Sequence, residues 1–205
     1  MTLESIKLIY FDGRGRAEVT RLMLAAADVK NEDIRYIFQR WPAEKSKTPF
    51  GQLPVLNIDG KMFRQSLAIA AYIAKEAGFY PKSYLDGLKV DQVIQLGGDF
   101  QTVAMTALFH KDEAKKSELE KELKEVEVPK YLDFFEKLLK ESGTGYFVGT
   151  TLTLADFFIY DIISVTIDRG VLSTSKHPLV DGLVKKIESN ANVNTYLANR
   201  KKTDF

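Results

Sequence analysis

Residues 50–69, Phe-Gly-Gln-Leu-Pro-Val-Leu-Asn-Ile-Asp-Gly-Lys-Met-Phe-Arg-Gln-Ser-Leu-Ala-Ile, constrain the fold more than any other stretch of this chain. Pro54 opens an alternating apolar run of Val55, Leu56 and Ile58, and a proline is tolerated at the first position of a strand because its missing N–H removes no interior ladder bond. Asp59-Gly60 supplies the positive φ angles of a two-residue hairpin, so Met62 to Arg64 is expected to return antiparallel. Gln65-Ser66 stands directly before a run of helical composition, which puts Ser66 at or beside an N-cap. Free N–H groups and the positive dipole end of such a helix hold a carboxylate, with Ser66 and Gln65 adding donors. Taken alone, the stretch reads as a β-hairpin followed by a helix, which many α/β proteins contain with no ligand at all.

The start of the chain shifts that balance. Residues 5–11 alternate as a strand, 16–27 are rich in helix formers, and 33–38 read as a second strand. The order β-α-β, hairpin, α is thereby complete within about 80 residues. Tyr10-Phe11-Asp12-Gly13-Arg14-Gly15-Arg16-Ala17-Glu18, Trp41-Pro42, Pro49 to Leu56 and Gln65 to Ile69 match, in order and spacing, the pattern of the cytosolic glutathione transferases. In detail the chain resembles their sigma class, along essentially its whole length. The resemblance implies an α+β/α architecture: a thioredoxin-like N-terminal domain (βαβ-ββα) over 1–78, a linker over 79–84, and an all-α domain over 85–205.

Composition bounds the function independently. With 205 residues, 45% of them hydrophobic, the chain buries a sizeable core, and a net charge of +1 with interspersed signs gives no reason to expect nucleic acid. No apolar run approaches the roughly 20 residues of a membrane span, and no secretory signal is recognisable, so a cytoplasmic location is expected. There is no cysteine, which rules out Cys-x-x-Cys dithiol chemistry; any reactive thiol arrives with the ligand. His110 and His177 lie far apart and lack cysteine partners, so no metal site is expected. Gly13-Arg-Gly15-Arg-Ala-Glu18 imitates a dinucleotide fingerprint but carries Glu18 in place of the third glycine.

The second half reads as helical, with long stretches over about 85–111 and 113–141. Thr153-Leu154-Ala155-Asp156 is a capping-box start with a structural role; Pro178 opens a further helix, and Asn192 is expected to cap the last. Gly97-Gly98 breaks the pattern at about 1 kcal/mol per glycine, which suggests a widened cleft or a close helix approach.

The remaining expectations come from the resemblance. Glutathione is the co-substrate, and Tyr10 matches the family's catalytic tyrosine, with Arg16 near the sulfur. A free thiol ionises near 8.5, and a hydrogen bond to a charged group contributes roughly 1.5–3 kcal/mol, so one phenolic donor lowers that pKa by about one to two units. Gln65 and Ser66 are assigned to the γ-glutamyl carboxylate, Gln52, Leu53 and a cis Pro54 to the peptide backbone, and Trp41 and Lys45 to the glycyl carboxylate. Asp99 matches an acid presented by the partner subunit, which implies a homodimer. Phe11, Gly13, Thr106, Phe158 and Phe205 are candidates for the electrophile pocket. Where prostaglandin-forming members carry a metal-binding aspartate cluster and a tryptophan, this chain has Gln95, Gly98 and Thr106, so neither metal activation nor a closely similar lipid site is expected. The expected activity is conjugation of glutathione to hydrophobic electrophiles; the alternatives are a glutathione-dependent isomerase, or a non-catalytic crystallin-like or ligand-storing member.

Overall fold

The computed structural model describes residues 6–203, which form two compact units: residues up to Tyr80 together with those from Glu188 on, and residues Pro81–Ile187. In the first unit, β1 (Ile6–Phe11) leads through a 3-10 turn (Gly15–Ala17) into α1 (Glu18–Ala26), followed by β2 (Glu32–Tyr36) and the short α2 (Trp41–Glu44). The hairpin β3 (Val55–Ile58) and β4 (Lys61–Arg64) then delivers α3 (Ser66–Glu76). The sheet order is β2-β1-β3-β4, with β1 and β2 parallel and the other pairs antiparallel, so the expected βαβ-ββα order is present. β1 is an inner strand with both faces covered, which is why it reads as nearly continuous apolar sequence. Asp59 and Gly60 take φ of +50° and +84°, the turn pairs Ile58 with Lys61, and the Asn57 side chain accepts from the Gly60 N–H at 2.9 Å.

Element ends differ from the sequence expectation where local chemistry intervenes. β2 stops at Tyr36 because Phe38–Arg40 winds into a 3-10 turn. At α3 the expectation holds: Gln65 occupies the N-cap with Ser66 beside it, and no side chain caps that end. The last helix, α9 (Ala191–Asn199), is capped by Asn190 rather than Asn192: the Asn190 side chain accepts from the N–H groups of Asn192 and Val193. α9 packs against α1 within the first unit.

The second unit contains α4 (Tyr84–Leu108), α5 (Glu113–Glu122), α6 (Val128–Ser142), α7 (Leu154–Asp168) and α8 (Pro178–Glu188). The single helix expected over 113–141 is interrupted by a π turn at Leu123–Glu127. Pro129 explains it, since a residue without an N–H cannot continue the i to i−4 ladder. α7 is buried almost all round and packs on α4. A methyl group at Gly97 would lie 2.5 Å from Ile159 Cδ1, so this glycine permits a close helix approach, whereas one at Gly98 would meet nothing within 4 Å. At the start of α7 the buried Asp156 carboxylate accepts from the N–H groups of Thr153 (2.7 Å) and Phe147 (2.9 Å) and from the Thr153 hydroxyl (2.8 Å). This bears out its structural reading.

Candidate functional site

Strand register gathers the predicted glutathione contacts of the first unit at one end of the sheet. Ile9 pairs with Val55, and Val55 with Arg64, so Tyr10, Pro54 and Gln65 are the next residues beyond one row of three adjacent strands. The parallel partner β2 ends at the same side, with Phe11 opposite Tyr36. Strands lie about 4.8 Å apart, so this row spans about 10 Å, the length of an extended tripeptide at about 3.3 Å per residue.

Tyr10 is 8% exposed, and its hydroxyl oxygen accepts the backbone N–H of Arg16 at 3.1 Å. Gly15, at φ +38°, makes this possible: a methyl group there would stand 2.5 Å from the Tyr10 hydroxyl oxygen. The Arg16 side chain is exposed, while Gly13 is buried. Beside Tyr10, Phe11 meets Phe38 at 4.9 Å and the edge of Trp41 at 5.5 Å between ring centroids. Trp41, with Ile34 and Leu53, packs against the Ile9–Tyr36–Val55 cluster.

Leu53-Pro54 is a cis peptide, as the resemblance implied. Gln52 is extended and exposed. The exposed Lys45 reaches over Gly51, where a methyl group would come within 3.3 Å of its Cγ and Cε. Gln65 sits at φ +72° and ψ 107°, outside the ordinary conformations of an L residue, while its carbonyl accepts the Ile69 N–H at 2.9 Å. A non-glycine residue held there is a familiar mark of a functional site. Ser66 follows, half-buried, as the first residue of a helix with no side-chain cap, so the N-terminus of α3 presents N–H donors to an anion.

Other predicted positions lie elsewhere. Asp99 is exposed on α4, and Thr106 is exposed with its hydroxyl donating to the Thr102 carbonyl at 2.7 Å. Phe158, expected in the electrophile pocket, is 5% exposed and packs at the close approach of α4 and α7 beside Gly97. Phe205 lies outside the described residues. A cavity of about 600 Å³ between α3 and the β3–β4 hairpin is lined by Leu56, Met62, Phe63, Ala68 and Tyr72, and Gln65 is the predicted contact it shares with the sheet end.

Sequence reasoning missed the charges behind Tyr10. Arg21 donates to the Gly13 carbonyl at 2.6 Å and contacts both carboxylate oxygens of Asp33 at 3.1 Å. The available signal was the pair Glu18 and Arg21, one turn apart in a helix otherwise free of charge. Asp12, next to the site, is held below the ordinary carboxylate range by its hydrogen bond to Lys201, with Arg35 adding to the effect.

Known proteins resemble this chain along nearly its whole length. The family model of the glutathione S-transferase N-terminal domain matches residues 6–75, and that of the C-terminal domain matches residues 98–200. Glutathione S-transferase 1 of Ascaris suum is 36% identical over 202 residues, covering 97% of this chain and 98% of that protein. Hematopoietic prostaglandin D synthase of Mus musculus is 32% identical over 204 residues, covering 98% and 99%. The solved structure of a Nu-class glutathione S-transferase from Haemonchus contortus matches with a TM-score of 0.89 at 33% identity, covering 98% of this chain and 99% of that one. With both halves matched and nearly the whole length aligned, the chain belongs to the glutathione S-transferase family of enzymes.

Proposed function

We propose that the chain conjugates glutathione to hydrophobic electrophiles through a thiolate stabilised by the Tyr10 hydroxyl, in the manner of sigma-class transferases. The observation that carries this reading is the Arg16 N–H on the Tyr10 oxygen. With a lone pair of that oxygen occupied, the phenolic proton is left to donate, and a donor already polarised by an incoming N–H binds an anion more strongly. The thiol then ionises below its free value, and the bound nucleophile attacks an electrophile held beside it.

The rest of glutathione follows the row of strand ends. Its γ-glutamyl carboxylate meets the N–H groups of α3 with Gln65 and Ser66, its cysteinyl backbone pairs with Leu53 beside Gln52 and Pro54, and its glycyl carboxylate reaches Trp41 and Lys45. Phe11 and Gly13 border the reacting sulfur and begin the electrophile pocket, with Thr106 a further candidate. The active form is a homodimer in which Asp99 of each subunit binds the γ-glutamyl amine of its partner's ligand. Tyr10→Phe tests the central role: glutathione still binds with a KM within about threefold, while kcat falls about ten- to a hundredfold, the loss of one to two pKa units of thiolate stabilisation. An unchanged kcat contradicts it. A second reading, a glutathione-dependent isomerase, is favoured by the similarity to the mouse prostaglandin D synthase and is separated from the first by assaying prostaglandin H2 isomerisation against conjugation.

A further inference from the structure

Glu18, the first residue of α1, is 0% exposed, yet its carboxylate accepts four contacts. The Tyr196 hydroxyl lies 3.0 Å from each oxygen, Arg200 Nη1 is 2.9 Å from Oε1, and Arg21 Nη1 is 3.4 Å from Oε2. Tyr196 and Arg200 belong to the C-terminal segment, 178 and 182 residues away in sequence. Arg21 is 3% exposed, and the nitrogen that meets Glu18 is the one that donates to the carbonyls of Gly13 (2.6 Å) and Arg14 (3.3 Å). Its Nε is committed to Asp33, which Arg35 also contacts.

These contacts form a chain with direction. The C-terminal segment neutralises Glu18, Glu18 shares Arg21, and Arg21 clamps the carbonyls that begin the turn. The same turn ends in the Arg16 N–H on the Tyr10 oxygen. We propose that Glu18, Tyr196 and Arg200 are positioning residues for Tyr10: by balancing the charge on Arg21 they hold the Gly13–Arg16 turn at the register in which Arg16 donates to the Tyr10 hydroxyl. This inference rests on the transferase reading above for its catalytic consequence and on geometry alone for its structural one.

Charge accounting supports the direction. Glu18 and Asp33 face Arg21 and Arg200, two of each sign, with Arg35 bridging onward to Asp33 and Asp12 and Lys201 on Asp12. Burial, and then the neighbouring Glu18 carboxylate, push the Tyr196 phenol well above the ordinary tyrosine range, so it remains a donor throughout the working pH. Removing Arg200 leaves a fully buried carboxylate short of one cation. Arg21 Nη1 lies 3.4 Å from Glu18 Oε2 and 2.6 Å from the Gly13 carbonyl, so a stronger pull from an under-compensated Glu18 competes with its hold on that carbonyl.

The test is Arg200→Met, with Arg200→Lys as the charge-keeping variant, read in two ways. In the ligand-free protein, hydrogen exchange of the Arg16 amide is expected to quicken at least about fivefold in Arg200→Met, with α3 amides unchanged and most of the effect reversed in Arg200→Lys. With glutathione bound, the thiol pKa is expected to rise by about half to one unit and kcat, measured below that pKa, to fall about three- to tenfold, while KM for glutathione stays within about twofold. If Arg200→Met does not fold, Tyr196→Phe, which removes a single hydroxyl, decides by the same readouts with a smaller shift in the same direction. A folded variant with a lowered Tm but unchanged Arg16 exchange and unchanged thiol ionisation overturns the inference and leaves the cluster purely structural. If the Arg16 amide responds but the wild-type thiol ionises at its free value, the positioning role stands and the transferase reading fails.

Discussion

At Gly15 a single hydrogen atom decides what Tyr10 can do. Its φ of +38° and the 2.5 Å that a methyl group would leave to the Tyr10 oxygen are independent reasons for glycine. Gly15→Ala is therefore expected to cost about 1–2 kcal/mol in backbone strain and to displace the phenol, lowering kcat more than it raises KM for glutathione. Thermal unfolding and steady-state kinetics on the same variant check both parts. Gln65 and Ser66 were legible as candidates because they stand at a helix start whose chemistry is written in neighbouring residues, and Tyr10 through the motif that carries the family resemblance. Glu18 was not, because its partners Tyr196 and Arg200 are 178 and 182 residues away and no periodicity links them. The packing of Phe158 beside Gly97 was not legible for a related reason: a helix buried almost all round has no polar face to show which side meets which neighbour.

Among the elements, the β3–β4 hairpin was fully legible, since Asp59-Gly60 demands the turn that Ile58 and Lys61 close. The helix over 113–141 was not, because its composition is helical throughout and only Pro129 forces the π turn. The N-cap of α9 lies two residues from the expected Asn192, the usual precision of cap chemistry read without backbone angles, while that of α3 stands beside Ser66 as expected. The glycine pair of α4 divides into two opposite expectations. Gly97→Ala overpacks the α4–α7 contact and destabilises by about 1–3 kcal/mol. Gly98→Ala, with open space before it, stabilises by about 0.5–1 kcal/mol through helix propensity. Chemical denaturation of the two variants side by side separates them. At the start of α7, Asp156→Ala leaves the buried N–H groups of Thr153 and Phe147 without their acceptor and is expected to cost about 2–3 kcal/mol with no specific loss of glutathione affinity.

For the molecule as a whole, the C-terminal segment is bound into the first unit by charge as well as by packing. Asp12 is the pH-sensitive member: Lys201 and then Arg35 depress its carboxyl below the ordinary value of 3.8. A depressed acid contributes stability that is present above its unfolded pKa and lost as pH falls through its folded one. Asp12→Asn is thus expected to flatten the acid limb of the stability curve below about pH 4 and to leave the neutral range little changed, as urea unfolding across pH would show. The proposed chemistry rests on one quantity, the ionisation of glutathione's thiol when bound. Ultraviolet difference spectroscopy of the thiolate across pH, in wild type and in Tyr10→Phe, measures it directly. The bound thiol is expected to ionise about one to two units below 8.5 in wild type and near 8.5 in Tyr10→Phe. A wild-type thiol that binds yet titrates near 8.5, or a depressed value that survives the loss of the Tyr10 hydroxyl, would contradict it.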